Sequence, residues 1–360
     1  MAKQFIAFIE HDVRDTVTGS ETNMFIPVMG SLQPTFEPTD ESRQEFRGGD
    51  TALGDTTVVR RSSQWSFSLE CAWYPGVEVG TLLKHALGHA GTRAVEDTSA
   101  FKGIVYPAAD PFSAAELGDK ALGFYVNTDE GGTTRSRLYF GGRVKSVAIN
   151  GEGTDDIKLT FEIVGPGEFI NAEAAETAGA SFTTVSPFCS ADLTCFVGTG
   201  ASRVGTAPNY TSIAEGTMDS FCPDSINMTI TNGMDDKQVM CGVKGPGKTY
   251  RSGQFSVELT APIDYEDPAS GFSSADEVKQ IFDDPIQSSL MLKLDNGEDA
   301  GATVNYTAVI DLPSVMLNPG TPQRNSDGSQ PTVELSYKSL YSTTTEYPVA
   351  ILTVDKASAY

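Results

Sequence analysis

A strictly alternating segment at residues 64–70 constrains the fold of this chain more than any other feature. Its sequence is QWSFSLE, in which Trp65, Phe67 and Leu69 occupy every second position and small or charged polar residues lie between and after them. Period-two alternation with large aromatic residues predicts an antiparallel strand that is buried on one face and solvated on the other.

The same alternation returns at residues 254–259, as QFSVEL, together with the elements around it. From residue 123 to residue 149 the offset to the second copy is constant, without gaps. This ordered recurrence predicts an internal duplication of one β-sandwich unit, a tandem pair rather than a solenoid. The matching segments are 31–36 with 225–230, 64–69 with 254–259, the helix at 78–88 with the one containing Val278, Ile281 and Phe282, 144–149 with 312–317, and 157–161 with 333–337.

These patterns predict a mainly β fold of two tandem β-sandwich or barrel domains, each with one short flanking helix and one long loop. The first domain spans residues 1–167 and includes an N-terminal extension, and the second spans 187–360 and includes a C-terminal extension. A polar segment rich in Ala, Thr and Gly, residues 168–186, is predicted to link them. The candidate core residues are Trp65, Phe67, Leu69, Leu82, Leu83, Leu87, Phe255, Val257, Leu259, Ile281 and Phe282.

Charge and composition exclude several classes of protein. The chain has 48 Asp and Glu against 25 Lys and Arg, for a net charge of −23, so it is not expected to grip nucleic acid through a basic patch. Its apolar runs are too short for a signal peptide or a membrane span. Five cysteines without a Cys-x-x-Cys pair predict neither a disulfide framework nor a zinc site, which favours folding in a reducing cytosol.

The motifs that could carry chemistry lack the context that the chemistry needs. Residues 242–249 (GVKGPGKT) match the phosphate-loop pattern, but a strand rather than a helix is predicted to follow. His85 and His89 are spaced like zinc ligands, yet Gly88 is predicted to end the helix between them. Paired carboxylates are typical of solvated turns. The sequence alone does not decide whether two of them form the catalytic carboxylate pair of a glycosidase. No catalytic residue, cofactor or metal is predicted.

The repeated unit resembles the tail tube proteins of long-tailed bacteriophages. The resemblance rests on the loop with Arg47-Gly48-Gly49, the strand at 64–70, the helix at 81–88 (TLLKHALG) and the closing strands that end near Glu162. It covers most of residues 25–165 and, more weakly, 220–345. It implies a structural virion protein, not an enzyme: a β-sandwich whose inner sheet joins its neighbours into a barrel, in stacked rings that form an acidic conduit for DNA ejection.

Rings in this family are typically six-fold, so two copies of the unit in one chain predict a homotrimeric ring with pseudo-six-fold symmetry. The expected partners are other copies of the chain, the tape measure, terminator and tail-tip proteins, and double-stranded DNA that passes without specific binding; no membrane is expected. The expected location is the virion tail, after assembly in the host cytoplasm. The alternative is a carbohydrate-binding or adhesive β-sandwich at a tail tip or cell surface, which would expose a cluster of Trp and Tyr.

Two further sets of residues follow from the resemblance and the alternation. The polar side of each repeated strand is expected to face the lumen, and the long loops are expected to contact the next ring. The candidate lumen-facing residues are Ser66, Ser68, Glu70, Ser256 and Glu258. The candidate inter-ring loop residues are Arg43, Arg47, Gly48, Gly49, Asp50, Lys244 and Lys248.

Overall fold

The computed structural model of the chain describes residues 5–12, 17–18, 21–30, 34–42, 58–108, 113, 116–130, 133–166, 169–172, 185–237, 248–251, 253–283, 288–319 and 330–360. Among these residues the helices are α1 (Val77–Leu87) and α2 (Ser274–Asp283), and a short 3-10 turn spans Ser190–Asp192. The remaining regular structure is β, and every strand pairing in the described ranges is antiparallel.

The strands, in chain order, are β1 (Phe5–His11), β2 (Met24–Pro27), β3 (Thr35–Ser42), β4 (Val58–Ala72), β5 (Gly88–Ala90), β6 (Ala94–Asp97), β7 (Ala100–Pro107), β8 (Ala121–Glu130), β9 (Thr133–Glu152), β10 (Lys158–Gly165), β11 (Phe169–Ala172), β12 (Leu193–Gly198), β13 (Ser202–Thr206), β14 (Asn209–Ala214), β15 (Asp219–Phe221), β16 (Ser225–Thr231), β17 (Met234–Lys237), β18 (Lys248–Arg251), β19 (Ser256–Asp264), β20 (Ser288–Asp299), β21 (Asn305–Pro319), β22 (Thr332–Ser339) and β23 (Ala350–Asp355).

One sheet of eight strands runs through both halves of the chain, and we call it the central sheet. Its strand order is β3–β4–β10–β9–β16–β19–β22–β21. The first four strands come from the first half of the chain and the last four from the second half. The pairing of β9 with β16 makes the two sets continuous.

The long strands β9 and β21 connect the central sheet to outer layers. The N-terminal part of β9 leaves the central sheet and joins the order β2–β1–β8–β9–β11. The N-terminal part of β21 likewise joins the order β15–β12–β20–β21–β23–β7, with β5 and β6 on the far side of β7. The fold is therefore mainly β with packed antiparallel sheets, as the alternation predicts.

Aromatic side chains fill the space between the central sheet and the first outer layer. Trp65 and Phe67 of β4 are buried; the Trp65 ring contacts Tyr139 of β9 at 5.8 Å, and the Phe67 ring contacts Phe124 of β8 at 4.9 Å, both edge to face. The Trp65 indole also lies against Gly165, where a Cβ would come within 2.1 Å of the ring. Full burial of each such side chain stabilises the fold by roughly 1.5–3 kcal/mol.

Helix α1 forms where the sequence predicts it. Val79, Leu82, Leu83 and Ala86 recur at helical spacing and are all buried. The helix ends at Gly88, whose φ of 107° is left-handed and whose N–H donates to the Lys84 carbonyl, a geometry that favours glycine. It packs against β2, β5, β7 and β9, and its buried side chains share one core with those of the strand at 64–70.

The two halves share more hydrogen bonds than a pair of domains on a linker requires. Besides the β9–β16 pairing, β7 from the first half pairs with β23 from the second, with Val105 opposite Ile351. Phe169–Ala172, at the start of the predicted linker, form β11 on β9, and residues 173–184 lie outside the described residues.

The constant offset from residues 123–149 to the second copy is wrong in its second strand, by three residues where that strand pairs with β8 or β20 and by two where it pairs with β10 or β22. Phe124 pairs with Tyr139, while its counterpart Leu292 pairs with Ile310, three residues beyond the position that a constant offset predicts. The turn at 300–304 accounts for the difference, because it is longer than the turn of the first hairpin. Alternation within a strand does not report the length of the turn beside it.

Candidate functional site

The candidate site is the exposed face of the central sheet, on the side away from the core. Strand register brings the predicted polar residues of both halves together on this face. Glu70 and Glu258 belong to one cross-strand row, and Ser68 and Ser256 belong to the adjacent row. The first row consists of Glu70, Thr160, Ala148, Thr229, Glu258, Lys338 and Met316, and the second of Ser68, Glu162, Ser146, Thr231 and Ser256.

The five predicted lumen residues differ in exposure. Ser68 and Glu258 are exposed, whereas Ser66, Glu70 and Ser256 are half-buried. All five alternate with buried residues on β4 and β19, so they lie on one face of one sheet. The pairing of β9 with β16 therefore brings the residues of β4 and those of β19 onto the same face, although they are far apart in the chain.

The exposed face is acidic and otherwise made of small polar groups. Serine, threonine and asparagine occupy most of its positions, and six carboxylates against three ammonium groups leave a charge of −3 on the described face. Such a surface offers hydroxyls and carboxylates without an imidazole or thiol beside them. The charged residues are Glu70, Glu152, Glu162, Glu258, Asp264, Glu334, Lys145, Lys158 and Lys338.

The predicted core residues lie on the opposite side of the same strands. Phe255 is half-buried and packs against the core, and the side chains of Ile281 and Phe282 lie outside the described residues. The buried ones are Trp65, Phe67, Leu69, Leu82, Leu83, Leu87, Val257 and Leu259.

Two hairpins extend from the same end of the central sheet. The β3–β4 hairpin encloses residues 43–57 and the β17–β18 hairpin encloses residues 238–247, and both enclosed loops lie outside the described residues. These loops contain Arg43, Arg47, Gly48, Gly49, Asp50 and Lys244 of the predicted inter-ring set; Lys248 is the first residue of β18.

The phosphate-loop pattern ends in a strand. Its last two residues, Lys248 and Thr249, belong to β18, which pairs with β17. The next strand, β19, begins at Ser256. A phosphate loop needs a helix N-terminus at that point, so the backbone here has a different geometry.

Both ends of the central sheet have a free edge. Within the described residues, β3 pairs only with β4, and Met316–Pro319 of β21 pair only with β22. The corresponding segment of β9, Ser146–Glu152, pairs on both sides, with β10 and with β16. Unpaired strand edges are ready-made sites for pairing with another chain.

A buried charged cluster fixes an exposed hairpin to the outer layer. Arg203 of β13 donates from Nε and Nη2 to the two oxygens of Asp311, both at 2.8 Å, and Tyr347 donates its hydroxyl to Asp311 Oδ2 at 2.7 Å. Burial lowers the pKa of the Arg203 guanidinium, but the hydrogen bonds and charge of Asp311 raise it by more, so the net change is upward. Burial and the charge on Asp311 raise the pKa of Tyr347 as well.

A second cluster holds helix α1 against strand β1. Lys84 donates to Glu10 Oε1 at 2.8 Å, and His85 Nε2 lies 3.0 Å from the same oxygen. Burial lowers the pKa of His85 to about 4, outweighing the hydrogen bond and charge of Glu10, so the imidazole is neutral at pH 7. Burial raises the pKa of Glu10, but the contacts with His85 and Lys84 lower it by more than burial raises it. The pKa therefore lies below its usual value, and the carboxylate is charged.

The two histidines that are spaced like zinc ligands bind different carboxylates. His85 contacts Glu10, and His89 contacts Glu116. Within the ranges that the structure describes, no three His, Cys, Asp or Glu side chains are placed to hold a metal ion. In the same ranges no helix has the length and apolar character needed to cross a bilayer.

Comparison with known protein families identifies the family to which this chain belongs. A family model described as phage tail tube protein matches residues 2–338. The chain belongs to the phage tail tube protein family. This tail tube protein is therefore a structural component of the virion tail, in a family that assembles into a tube. No individual curated protein matches its sequence.

Two features of this tail tube protein are not predicted by the alternation and motifs of its sequence. The β13–β14 hairpin forms a separate two-stranded sheet over the outer layer, within a stretch whose alternation is weak. The β7–β23 pairing joins strands about two hundred and fifty residues apart, as the register of Val105 with Ile351 shows. The signal that could have pointed to β23 is its mostly apolar sequence, AILTV at 350–354, which is interrupted by Thr353 and buried throughout.

Proposed function

We propose that this tail tube protein forms trimeric rings that stack into a tube, and that the exposed face of the central sheet lines the lumen through which DNA is ejected. The observation that carries the proposal is the eight-stranded central sheet itself. It contains two sets of four strands in the same order, β3–β4–β10–β9 and β16–β19–β22–β21, already joined side by side.

Matching registers support a duplicated unit behind this order. Phe161 of β10 lies opposite Leu69 of β4, and Tyr337 of β22 lies opposite Leu259 of β19. The alternating segments make Leu69 equivalent to Leu259, and the pairings then make Phe161 equivalent to Tyr337. The junction inside one chain then has the same form as a junction between neighbouring subunits, and one chain supplies two of six quasi-equivalent positions.

Barrel geometry favours three chains in each ring. Three copies of the central sheet supply twenty-four strands; with strands about 4.8 Å apart and tilted by about 40°, the barrel is about 48 Å across between backbones. Side chains take roughly 5 Å from each wall, which leaves about 38 Å for a DNA duplex. Two copies would leave only about 22 Å by the same arithmetic, which is too narrow for a hydrated duplex to slide.

The charge of the exposed face suits a conduit. The described face carries −3 per chain, and three chains place −9 on each turn of wall. DNA has about one negative charge per 1.7 Å of helix axis, so the wall repels it and leaves it free to move. Such a wall gives passage without specific binding.

Charge complementarity supports stacking from head to tail. The hairpin segment 234–253 contains three lysines and one arginine against two aspartates, although the chain as a whole is acidic. The opposite end of the central sheet is acidic and exposed, with Glu152, Asp155, Asp224, Asp264 and Glu266. The β17–β18 hairpin of one ring is therefore proposed to meet this acidic end of the next ring, with the β3–β4 hairpin beside it.

The carbohydrate-binding alternative loses its main support. Trp65 and Trp73, the two tryptophans of the chain, are buried. Among the described residues the exposed large hydrophobic side chains include one aromatic, Tyr341. A sugar-binding platform needs exposed aromatic rings, and we propose no second function.

Electron cryomicroscopy of the purified assemblies tests the ring. We expect three chains per turn, each contributing both four-stranded sets to the wall. A ring of six chains with residues 190–345 outside the wall would contradict the proposal.

A charge reversal tests the stacking surface separately. In the variant with Lys244→Glu and Lys248→Glu, rings should still form but tubes should be shorter, because the hairpin would meet an acidic surface with like charge. The matched control is Lys102→Glu with Lys293→Glu, the same change of charge on the outer layer. Equal tube lengths for the two variants would contradict this contact.

A further inference from the structure

We propose that neighbouring chains pair through the two free edges of the central sheet, in the register that β9 and β16 use inside each chain. Met316 and Leu317 of one chain lie opposite Thr35 and Pro34 of the next. The inference rests on the proposed ring and adds to it the residues of the seam between subunits.

The β9–β16 junction is the template for the seam. It pairs Ser146 with Thr231, Val147 with Ile230 and Ala148 with Thr229. The first and third of these pairs lie on the exposed face, and the second lies on the buried face. The junction therefore continues both the polar lining and the core from one four-stranded set to the next.

The first step transfers the β9 side of the template to β21. Phe161 lies opposite Leu69 on one side and Val147 on the other. Its counterpart Tyr337 lies opposite Leu259 and Leu317. Leu317 therefore occupies the position of Val147, and Met316 occupies the position of Ser146.

The second step transfers the β16 side to β3. Thr231 lies opposite Ser256 of β19, and Thr35 lies opposite Ser66 of β4. Ser66 and Ser256 are three residues before Leu69 and Leu259 in their strands, so they are equivalent. Thr35 therefore occupies the position of Thr231, two residues beyond the position that the match of 31–36 with 225–230 predicts, and is placed opposite Met316.

Burial shows that the β21 edge is incomplete in a single chain. Val147 is fully buried, whereas its counterpart Leu317 is half-buried at the rim of the core. Met316 is 40% exposed, one of few large apolar side chains in the described residues with that exposure. Pro34 from a second copy would cover Leu317 as Ile230 covers Val147.

The occupant of this edge is a second copy of the chain rather than the chain itself. The edges at β3 and β21 are separated by seven strand spacings, about 34 Å along the sheet. A head-to-tail contact between different edges closes into a ring if the rotation is right.

Paired cysteines test the register in assembled rings. Directly opposite residues on antiparallel strands have Cβ atoms about 4.5–5.5 Å apart, close to the separation that a disulfide spans. We expect Thr35→Cys with Met316→Cys to give covalent trimers on oxidation, in a ladder that stops at three chains on a non-reducing gel.

Two control variants calibrate this result. Ser146→Cys with Thr231→Cys places the same pair at the internal junction and should crosslink within one chain. Thr35→Cys with Asn318→Cys moves one partner by two residues on the same face, to about 7–8 Å, and should crosslink at least about tenfold less. The single variant Thr35→Cys reports any reaction with the native cysteines.

The outcomes separate the seam from the ring. Imaged rings of three chains without the Thr35–Met316 crosslink, while the internal pair reacts, would overturn the seam and leave the ring. A ladder that continues to six chains would overturn the trimer. In the unmodified chain, slower hydrogen exchange on ring formation at those amides of Met316–Asn318 that point away from β22 would support the pairing, and unchanged exchange at the same amides would contradict it.

Discussion

Adding positive charge to the exposed face of the central sheet tests its assignment to the lumen. The variant with Ser66→Lys and Ser68→Lys changes the described face from −3 to −1 per chain and adds six ammonium groups to each ring of three. If each contacts one phosphate, the affinity of the wall for DNA should fall about 10³-fold between 50 and 200 mM salt. The unmodified wall should show no such binding.

The fold should tolerate these two substitutions. Ser68 is exposed and lies directly opposite Glu162 on β10, so a lysine there gains an opposite charge across the strands. Such a pair stabilises a sheet by roughly 0.2–1 kcal/mol. Ser66 is half-buried and lies on the exposed face opposite Thr35, so a long side chain there reaches solvent along that face.

The assay combines infection with direct binding. Phage that lack their own tube protein are complemented with the variant, and plating efficiency is compared with tube formation by electron microscopy. Filter binding of linear duplex DNA to purified tubes at 50 and 200 mM salt measures the affinity. We expect normal tubes, tighter DNA binding at low salt and a loss of infectivity.

Two controls separate position from charge. Ser202→Lys with Thr206→Lys adds the same charge to the exposed β13–β14 hairpin on the outer layer. Ser66→Thr with Ser68→Thr changes the same positions without charge. Infectivity equal to that of the hairpin variant, with tubes intact, would show that the lumen lies elsewhere.

Three further predictions concern the two buried charged clusters and the packing of the C-terminal Tyr360 against helix α1. Because burial holds the folded-state pKa of His85 near 4 against about 6.5 in the unfolded chain, stability should fall by about 3 kcal/mol as the pH drops from 6.5 to 4, and His85→Gln should flatten that part of the urea-denaturation profile. Tyr347→Phe removes a 2.7 Å bond to the buried Asp311 carboxylate and should cost about 1.5–3 kcal/mol in thermal unfolding; an unchanged melting temperature would contradict a buried bond. Gly80→Ala would place a Cβ 2.2 Å from the Tyr360 ring, so hydrogen exchange at residues 356–360 should speed up even though alanine favours the helix by about 1 kcal/mol; equal exchange would show that Tyr360 is not packed there.

The face of each repeated strand could be predicted from the sequence. Alternation in β4 separates Trp65, Phe67 and Leu69 from Ser68 and Glu70, because successive side chains of a strand point to opposite faces. Burial follows that separation from residue 64 to residue 71. The end of α1 at Gly88 was equally readable, since a left-handed cap is a local requirement of the backbone.

Some positions within the repeat could not be predicted from alternation. The three-residue difference between the two hairpins lies in the turn at 300–304, and a change in turn length leaves the alternation within the flanking strands unchanged. Alternation also does not identify the residues on the opposing sheet, where the rings of Trp65 and Phe67 contact Tyr139 and Phe124.

The sequence by itself determined that the chain is a β protein, which side of its alternating strands is buried, and a family membership that the comparison then established. Only the tertiary structure decided which edges meet: that β9 pairs with β16, that β7 pairs with β23, and that β3 and Met316–Pro319 of β21 keep a free edge within the described residues. The reason is physical. Alternation reports the environment of side chains above and below a sheet, whereas the partner of a strand edge is chosen by backbone groups that every residue carries alike.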